Sequence, residues 1–236
     1  MVGAAMGTTA LSSNGCWWAV PVSTGQMTRF WLIDTENGHS DVFLEKDTIG
    51  HPQFCPDDDN LILYAGPMSD RVWVTDRSGR QDRRIHERSH SLQWVTHEVW
   101  RPNHRSVLFV DWPTGIFEID IDTCAVRRLS DFPVWHGAPD RTGKKLVCDT
   151  NFPDRGLHLL ELKGAPSHPP RFLYHAQASS QGVHWAKPFP YGNGPIKVHA
   201  PQHTHPHPRF SNDGRQVVFT SDRSGYDQVY VAMLML

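Results

Sequence analysis

The chain has 236 residues, of which 39% are hydrophobic and 20% are charged, and its formal net charge is −2. A chain of this kind can bury a sizeable core, and it lacks the positive excess that is typical of nucleic-acid binding. No apolar run reaches about 18 residues, and the N-terminus lacks a basic head followed by a continuous apolar stretch. The sequence therefore predicts neither a membrane span nor a secretory signal.

The first elements in chain order are two strands, one in CWWAVPV from Cys16 and one in RFWLIDTENG from Arg29. They resemble the second and third strands of the units that follow. Since no histidine-led strand precedes them, we expect the chain to enter its first sheet partway through.

Four stretches then repeat one pattern, and each begins with a histidine, at His51, His97, His136 and His207. An apolar run starts ten residues after each histidine, at Leu61, Val107, Leu146 and Val217. A third short strand follows each run, from Val72, Ile116, Leu157 and Val229. Such a unit is a small antiparallel sheet of the kind that β-propellers repeat around an axis.

The repeat, together with 18 glycines and 18 prolines that disfavour long helices, predicts an all-β fold. We expect a β-propeller of four-stranded blades with about five units, forming a single, partial propeller domain over residues 1–236. The repeat starts are separated by 46, 39 and 71 residues, whereas a blade takes about 40 to 50. The third interval therefore contains an insertion, which we place between His175 and Thr204 and expect to be functional.

Because equivalent residues of successive blades lie at equivalent radii, the repeat should bring its histidines to one place. In APQHTHPHPRF, an extended strand would direct His205 and His207 to the same face, and Gln202 could fold in from the preceding turn. We expect His203 to lie outside the site that these residues form. The alternative is a proline-stiffened edge with solvated histidines, but the repeat position of His207 favours a metal site. Nitrogen and amide-oxygen ligands suit a divalent ion such as manganese, with zinc, iron or nickel as alternatives.

These segments resemble the oligogalacturonate lyases, a polysaccharide lyase family with a seven-bladed propeller fold that acts inside pectin-degrading bacteria. The matching segments are QHTHPHPRFSNDG with TSDRSG after it, HGAPDRTGKKLVCDTN, THEVWRP and GHPQFCPDDDNLILY, within roughly residue 29 to the end of the chain. The resemblance implies a manganese site whose protein ligands are His136, Gln202, His205 and His207. It also implies a catalytic arginine at Arg71 in SDRVWV and a second catalytic residue at His97.

The chain departs from the family in its number of units, about five where the resemblance implies seven. The units that lack a match are N-terminal. We expect either a fragment of a longer product or a propeller that closes in an unusual way.

The reaction that the resemblance implies is metal-dependent β-elimination on short galacturonate oligosaccharides, a cytoplasmic step of pectin breakdown. Two assignments of the base stay open: Arg71 in a crowded cationic site, or His97 with Arg71 binding the substrate carboxylate. Each residue also has a structural alternative. His97 could anchor the start of a strand, and Arg71 could be a surface charge paired with Asp70.

Two further cations are candidates for binding a uronate carboxylate, Arg223 in SDRSGY and Lys187 in the insertion. Each could equally be a solvated loop residue. His51 shares the repeat position, and we interpret it as a residue that lines the channel and binds no metal.

A different class of function is a non-catalytic, TolB-like propeller that serves as a binding or interaction module, since fold alone does not decide function. A hydrolase is disfavoured because no GxSxG segment occurs. The four cysteines show no CxxC or zinc spacing, with Cys148 in an apolar strand and Cys124 in a turn. Reduced thiols in a cytoplasmic protein are the expectation.

Overall fold

The computed structural model describes residues 8–150, 154–163, 169–179 and 204–234, and every helix or strand within these ranges is a β-strand. The all-β prediction is confirmed. Within the same ranges there is no helix of the length and apolar character needed to cross a membrane.

The strands form five sheets in which consecutive strands are neighbours. The first sheet contains β1 (Ala10–Leu11), β2 (Trp17–Ser23), β3 (Thr28–Asp34) and β4 (Ser40–Lys46), and the second contains β5 (Gly50–Cys55), β6 (Asp58–Ala65), β7 (Val72–Asp76) and β8 (Arg83–Arg84). The third contains β9 (Val95–Arg101), β10 (Ser106–Asp111), β11 (Gly115–Asp120) and β12 (Val126–Ser130). The fourth contains β13 (Val134–Pro139), β14 (Lys145–Thr150), β15 (Leu157–Glu161) and β16 (Arg171–Tyr174), and the fifth contains β17 (Arg209–Phe210), β18 (Gln216–Ser221) and β19 (Gln228–Met233).

The repeat seen in the sequence corresponds to these sheets. The predicted apolar runs form β6, β10, β14 and β18, and the predicted third strands form β7, β11, β15 and β19. Three of the repeat histidines lie in the first strand of a sheet, at its edge, and His207 lies two residues before β17. The repeat unit is therefore one sheet, with its histidine at the same end of each.

The first sheet corrects one expectation. We expected it to lack its first strand, but Ala10–Leu11 pairs with β2 through Ala10 and Ala19 and through Leu11 and Trp18. This strand has only two residues and carries no histidine. Its shortness removes the periodic signal on which sequence prediction depends.

The backbone is unusual at the repeat histidines. His51, His97 and His207 have φ values of 52°, 52° and 43°, in the left-handed region that residues other than glycine seldom adopt. The pairing register also breaks around His51, between Gly50 and Gln53, and around His136, between Val134 and Gly137. Breaks of this kind re-aim side chains that would otherwise alternate between the two faces of the sheet.

The chain divides into two compact units. The first comprises residues up to Ser91 with Glu98–Leu108 and Ile119–Ala125, and the second comprises Leu92–His97, Phe109–Glu118 and Val126–Leu236. Each has an apolar core of its own. Buried side chains of the first include Phe30, Ile49, Ile62 and Tyr64, and those of the second include Val147, Leu157, Val217 and Phe219. The assignment of residues 1–236 to a single domain stays a prediction.

The four cysteines are free, and they differ in exposure: Cys124 is exposed, whereas Cys55 and Cys148 are buried. Burial raises the pKa of the Cys55 thiol, and it raises that of Cys148 well above its usual range.

We therefore expect a thiol reagent to label Cys124 in the folded protein and to label Cys55 and Cys148 only after unfolding, because the thiolate is the reactive form. Mass spectrometry of the labelled peptides with and without denaturant measures this. Labelling of Cys148 at the rate of Cys124 in the folded protein would contradict the assigned core.

Candidate functional site

Four histidine side chains of the second unit lie together, and we call them the imidazole cluster: His97, His136, His205 and His207. The ring centroid of His136 lies 3.4 Å from that of His207, 4.3 Å from that of His97 and 5.1 Å from that of His205. The structure thus brings together three of the predicted metal ligands and one predicted catalytic residue.

A buried carboxylate, that of Asp149, organises this cluster. One of its oxygens accepts a hydrogen bond from the backbone N–H of His136 at 2.7 Å. The other lies 2.8 Å from Nδ1 of His136 and accepts the backbone N–H of His207 at 3.1 Å. Asp149 is 0% exposed, so these protein groups take the place of its hydration.

The contact between Asp149 and His136 follows from the register of β13 and β14. Val134 pairs with Thr150 and Gly137 pairs with Cys148. Two residues of β13, Trp135 and His136, therefore face one residue of β14, which is the arrangement of a β-bulge.

The environment of His136 and His207 favours neutral imidazoles. Burial, followed by the charge of His207, places the pKa of His136 well below its usual range, and burial also lowers the pKa of His207. Burial raises the pKa of Asp149 to about 6, which leaves its carboxylate ionised at neutral pH. A neutral imidazole is the form that binds a metal ion.

Trp135 packs against the cluster, and two further tryptophans pack against Trp135. The Trp135 ring centroid lies 4.6 Å from that of His97 and 6.5 Å from that of His205. Trp94 and Trp112 contact Trp135 edge-on, at centroid distances of 5.5 and 5.7 Å, and all three tryptophans are buried. These rings exclude water from one side of the cluster and restrict the motion of its side chains.

The segment that carries His205 and His207 differs from the extended strand that we expected. A regular strand begins only at Arg209, and His207 has a positive φ. Pro206 and Pro208 have no N–H to donate to a strand ladder, although the carbonyl of Pro206 accepts the N–H of Thr220 at 2.8 Å. The alternation argument therefore does not apply, although the rings of His205 and His207 lie 5.9 Å apart.

The donor chemistry of the cluster fits a divalent ion, because His136, His205 and His207 offer ring nitrogens in a buried setting. Within the ranges that the structure describes, no three His, Cys, Asp or Glu side chains are already arranged to hold a metal ion.

Two predicted site residues, Gln202 and Lys187, lie outside the described residues, as does His203. Their predicted roles stay predictions.

In the first unit, Arg71 makes a buried ion pair with Glu98. Nε of Arg71 lies 2.9 Å from Oε1 of Glu98, and the two side chains are 15% and 3% exposed. Nη1 of Arg71 also lies 3.6 Å from the sulfur of Met68. The suggested pairing of Arg71 with Asp70 is wrong, since the carboxylate of Asp70 instead pairs with Arg84 at 3.3 Å.

Glu98 is held at its side chain by Arg71 and at its backbone by Gln53, which Trp100 holds in turn. Its backbone carbonyl accepts a hydrogen bond from Nε2 of Gln53 at 2.7 Å, and the carbonyl of Gln53 accepts one from Nε1 of Trp100 at 2.9 Å. His51 is exposed, but partial desolvation followed by the charge of Arg71 lowers its pKa. The first unit therefore presents a fixed guanidinium close to an imidazole.

Arg223 contacts residues on the last strands of the fourth and fifth sheets. Its guanidinium donates to the hydroxyl of Tyr174 at 2.6 Å and lies 4.0 Å from the ring centroid of Tyr230. Tyr174 is on β16 and Tyr230 is on β19, whereas His136 is on β13, the opposite edge of the fourth sheet. The structure does not bring Arg223 to the imidazole cluster, and its role in substrate binding stays a prediction.

Sequence reasoning missed Asp149 and Glu98, although the repeat contains a signal for both. The position thirteen residues after the repeat histidine holds Tyr64, Val110 and Thr220 in the other copies and Asp149 in this one. The position directly after the histidine holds Pro52, Gly137 and Pro208 in the other copies and Glu98 in this one. A charged residue where the other copies carry none indicates a role beyond the fold.

Comparison with known proteins gives a consistent result. A family model described as Oligogalacturonate lyase matches residues 21–235. The oligogalacturonate lyase of Dickeya dadantii (strain 3937) is 28% identical to the chain, in an alignment that covers 89% of the chain and 56% of that protein. The chain thus spans about half the length of this relative.

Two solved structures establish the fold. An oligogalacturonate lyase in complex with manganese superposes with a TM-score of 0.78 at 23% identity, covering 98% of this chain and 65% of that one. The β-propeller domain of the Trilobed protease from Pyrococcus furiosus superposes with a TM-score of 0.60 at 11% identity, covering 95% of this chain and 67% of that one. The propeller prediction is confirmed.

We expect the change His205→Ala to reduce metal content to background, because it removes one of the nitrogens that the cluster offers to an ion. His158→Ala is the matched control: His158 is also a buried histidine of the second unit, but its Nδ1 lies 3.1 Å from the carbonyl of Gly156 and its ring packs on Phe132. Elemental analysis after loading with Mn²⁺ and desalting measures the difference. Equal retention in both variants would contradict the assigned ligands.

Proposed function

The chain belongs to the oligogalacturonate lyase family, and from this premise we propose that it forms the site of a metal-assisted β-elimination on short galacturonate oligosaccharides. The observation that carries the proposal is the imidazole cluster around Asp149, which lies within the part of the chain that matches the family. A non-catalytic binding propeller has no need of such a cluster. The free thiols at all four cysteines support a cytoplasmic location as part of the proposal.

The reaction requires a base and a way to stabilise negative charge. A base removes the proton on C5 of the uronic acid, and the electron pair forms a double bond between C4 and C5 as the glycosidic oxygen leaves from C4. Negative charge develops beside the C6 carboxylate during this step. Elimination thus creates an unsaturated sugar, which hydrolysis does not.

We assign the metal ligands to His136, His205 and His207, with Gln202 as a fourth. A divalent ion, for which we propose manganese, supplies positive charge to the C6 carboxylate when it is bound. Neutral imidazoles held by a buried carboxylate support this assignment.

The contacts of Arg71 support a role in binding the substrate carboxylate. Removing a proton from its guanidinium would leave the buried carboxylate of Glu98 without a counter-charge, and an uncompensated buried charge costs about 3–5 kcal/mol. Glu98 occupies the Nε edge of the guanidinium, and a planar group with five donors can still bind a second carboxylate. Arg71 therefore suits a fixed cation better than a base.

Proton removal is then assigned to His97. Its ring contacts those of Trp135 and His136, at centroid distances of 4.6 and 4.3 Å. An imidazole exchanges protons near neutral pH, as a general base for this step must do.

We expect the purified chain to convert oligogalacturonates into unsaturated products, which absorb in the ultraviolet. A chelator should stop the reaction and Mn²⁺ should restore it, because the developing charge then has no counter-ion until metal is added. The test follows ultraviolet absorbance and identifies the products by mass spectrometry. Saturated products, or a rate that does not respond to metal, would contradict the proposal.

Two variants separate the roles of Arg71 and His97. Arg71→Lys should lower the elimination rate by about 10²-fold or more and leave metal content unchanged. Lysine lacks the planar guanidinium that can bind the carboxylate of Glu98 and that of the substrate at the same time. His97→Ala should lower it by about 10²–10⁴-fold, and the remaining rate should lose its dependence on a group that titrates near neutral pH. Steady-state rates across pH measure both effects.

Arg105→Lys is the matched control, since Arg105 makes a two-pronged pair with Asp122, at 2.7 and 2.9 Å, on an exposed surface. It should retain the full rate. If His97→Ala retained the pH dependence of the native chain and Arg71→Lys lost it, Arg71 would be the base and our assignment would be reversed.

A further inference from the structure

We infer that Asp149 is the positioning residue of the metal site: it fixes the tautomer of His136 and holds the backbone of His207. This inference deepens the proposed function and depends on it for the identity of the ligands. The repeat pattern singles out the charge of Asp149, but neither that pattern nor the family resemblance says what the carboxylate does.

The carboxylate is placed to act on two predicted ligands at once. His136 is thirteen residues away on the neighbouring strand, and His207 is 58 residues away, before the fifth sheet. The same oxygen that lies 2.8 Å from Nδ1 of His136 also accepts the N–H of His207 at 3.1 Å. One carboxylate therefore sets the relative position of both residues.

The contact with Nδ1 determines which nitrogen of His136 is free. A carboxylate offers only acceptors, so Nδ1 must carry the hydrogen and Nε2 keeps its lone pair. Carboxylate partners of this kind orient histidines that bind metals and make them stronger ligands. The bond to Asp149 thus leaves the ligand nitrogen of His136 available before any ion binds.

The contact with the backbone of His207 has a second effect. His207 has a φ of 43°, a conformation that an L-residue adopts only when its surroundings impose it. The hydrogen bond from its N–H to Asp149 is one such constraint, and it acts at a residue whose ring stacks on that of His136. The carboxylate therefore helps to hold both stacked rings.

A purely structural role for Asp149 would make a different prediction. If the carboxylate served only to satisfy two backbone N–H groups, the amide oxygen of asparagine could replace one acceptor and the tautomer of His136 would be irrelevant. In Asp149→Asn, however, the amide NH₂ can donate to Nδ1. The hydrogen of His136 then moves to Nε2 and blocks the ligand position.

The experiment uses the full chain with its histidines labelled with ¹⁵N. Nitrogen NMR of the metal-free protein should show His136 with hydrogen on Nδ1, and Asp149→Asn should show it on Nε2. Titration with Mn²⁺, followed by electron paramagnetic resonance, should show about 10–100-fold weaker binding in Asp149→Asn. Asp111→Asn is the matched control, since Asp111 is a buried aspartate of the same unit that accepts from Nε2 of Gln93 at 3.1 Å.

The outcomes separate this inference from the proposed function. A native protein with hydrogen on Nε2 of His136 would overturn the inference without any variant. An unchanged tautomer in Asp149→Asn would also overturn it, as would an unchanged Mn²⁺ affinity if the native chain binds the ion. If the native chain shows the Nδ1 tautomer, Asp149→Asn inverts it and neither binds Mn²⁺, the control of the tautomer by Asp149 is supported and the metal assignment of the proposed function fails.

Discussion

The conformation of the backbone at the repeat histidines is the constraint on which the rest of the site depends. Side chains of a regular strand alternate between two faces, so a strand by itself could present only every second residue to a site. Left-handed residues at His51, His97 and His207 interrupt that alternation, at a cost of about 1–3 kcal/mol each. Because the interruption recurs at the same position of the repeat, several sheets present a histidine in the same way. In the second unit, the imidazole cluster combines left-handed residues at His97 and His207 with a break in strand register at His136.

Each of the two units contains a buried carboxylate that holds a side chain in place. Asp149 and Glu98 are both nearly or fully excluded from solvent, and each contacts a side chain that we assign to the reaction. A buried charge is stable only where its partners are fixed, so each carboxylate holds its partner in one position. Groups fixed in this way need no reorganisation as charge develops during a reaction, which is the property that electrostatic catalysis requires.

The fold does not distinguish an enzyme from a binding module, because propellers of both kinds share the same sheets. The distinction comes from the side chains at the histidine end of the sheets. Neutral imidazoles stacked in a tryptophan-lined setting favour chemistry at a bound ion, whereas a binding surface would need exposed and varied contacts. Membership of the oligogalacturonate lyase family agrees with this interpretation, and the chain spans about half the length of the relative from Dickeya dadantii.

The sequence by itself determined the strands, the repeat unit and the histidines that gather in the second unit. These features depend on local periodicity and on recurrence, both of which can be seen in the order of residues. It did not determine the first short strand, the course of the chain around His207, or the partner of Arg71. Asp70 is next to Arg71 in the chain, but its true partner, Glu98, is 27 residues away. Asp149 reaches a residue 58 positions away. Only the tertiary structure decided such contacts, because they depend on a bulged strand register and on pairing between distant segments, and neither is encoded in the period of the sequence.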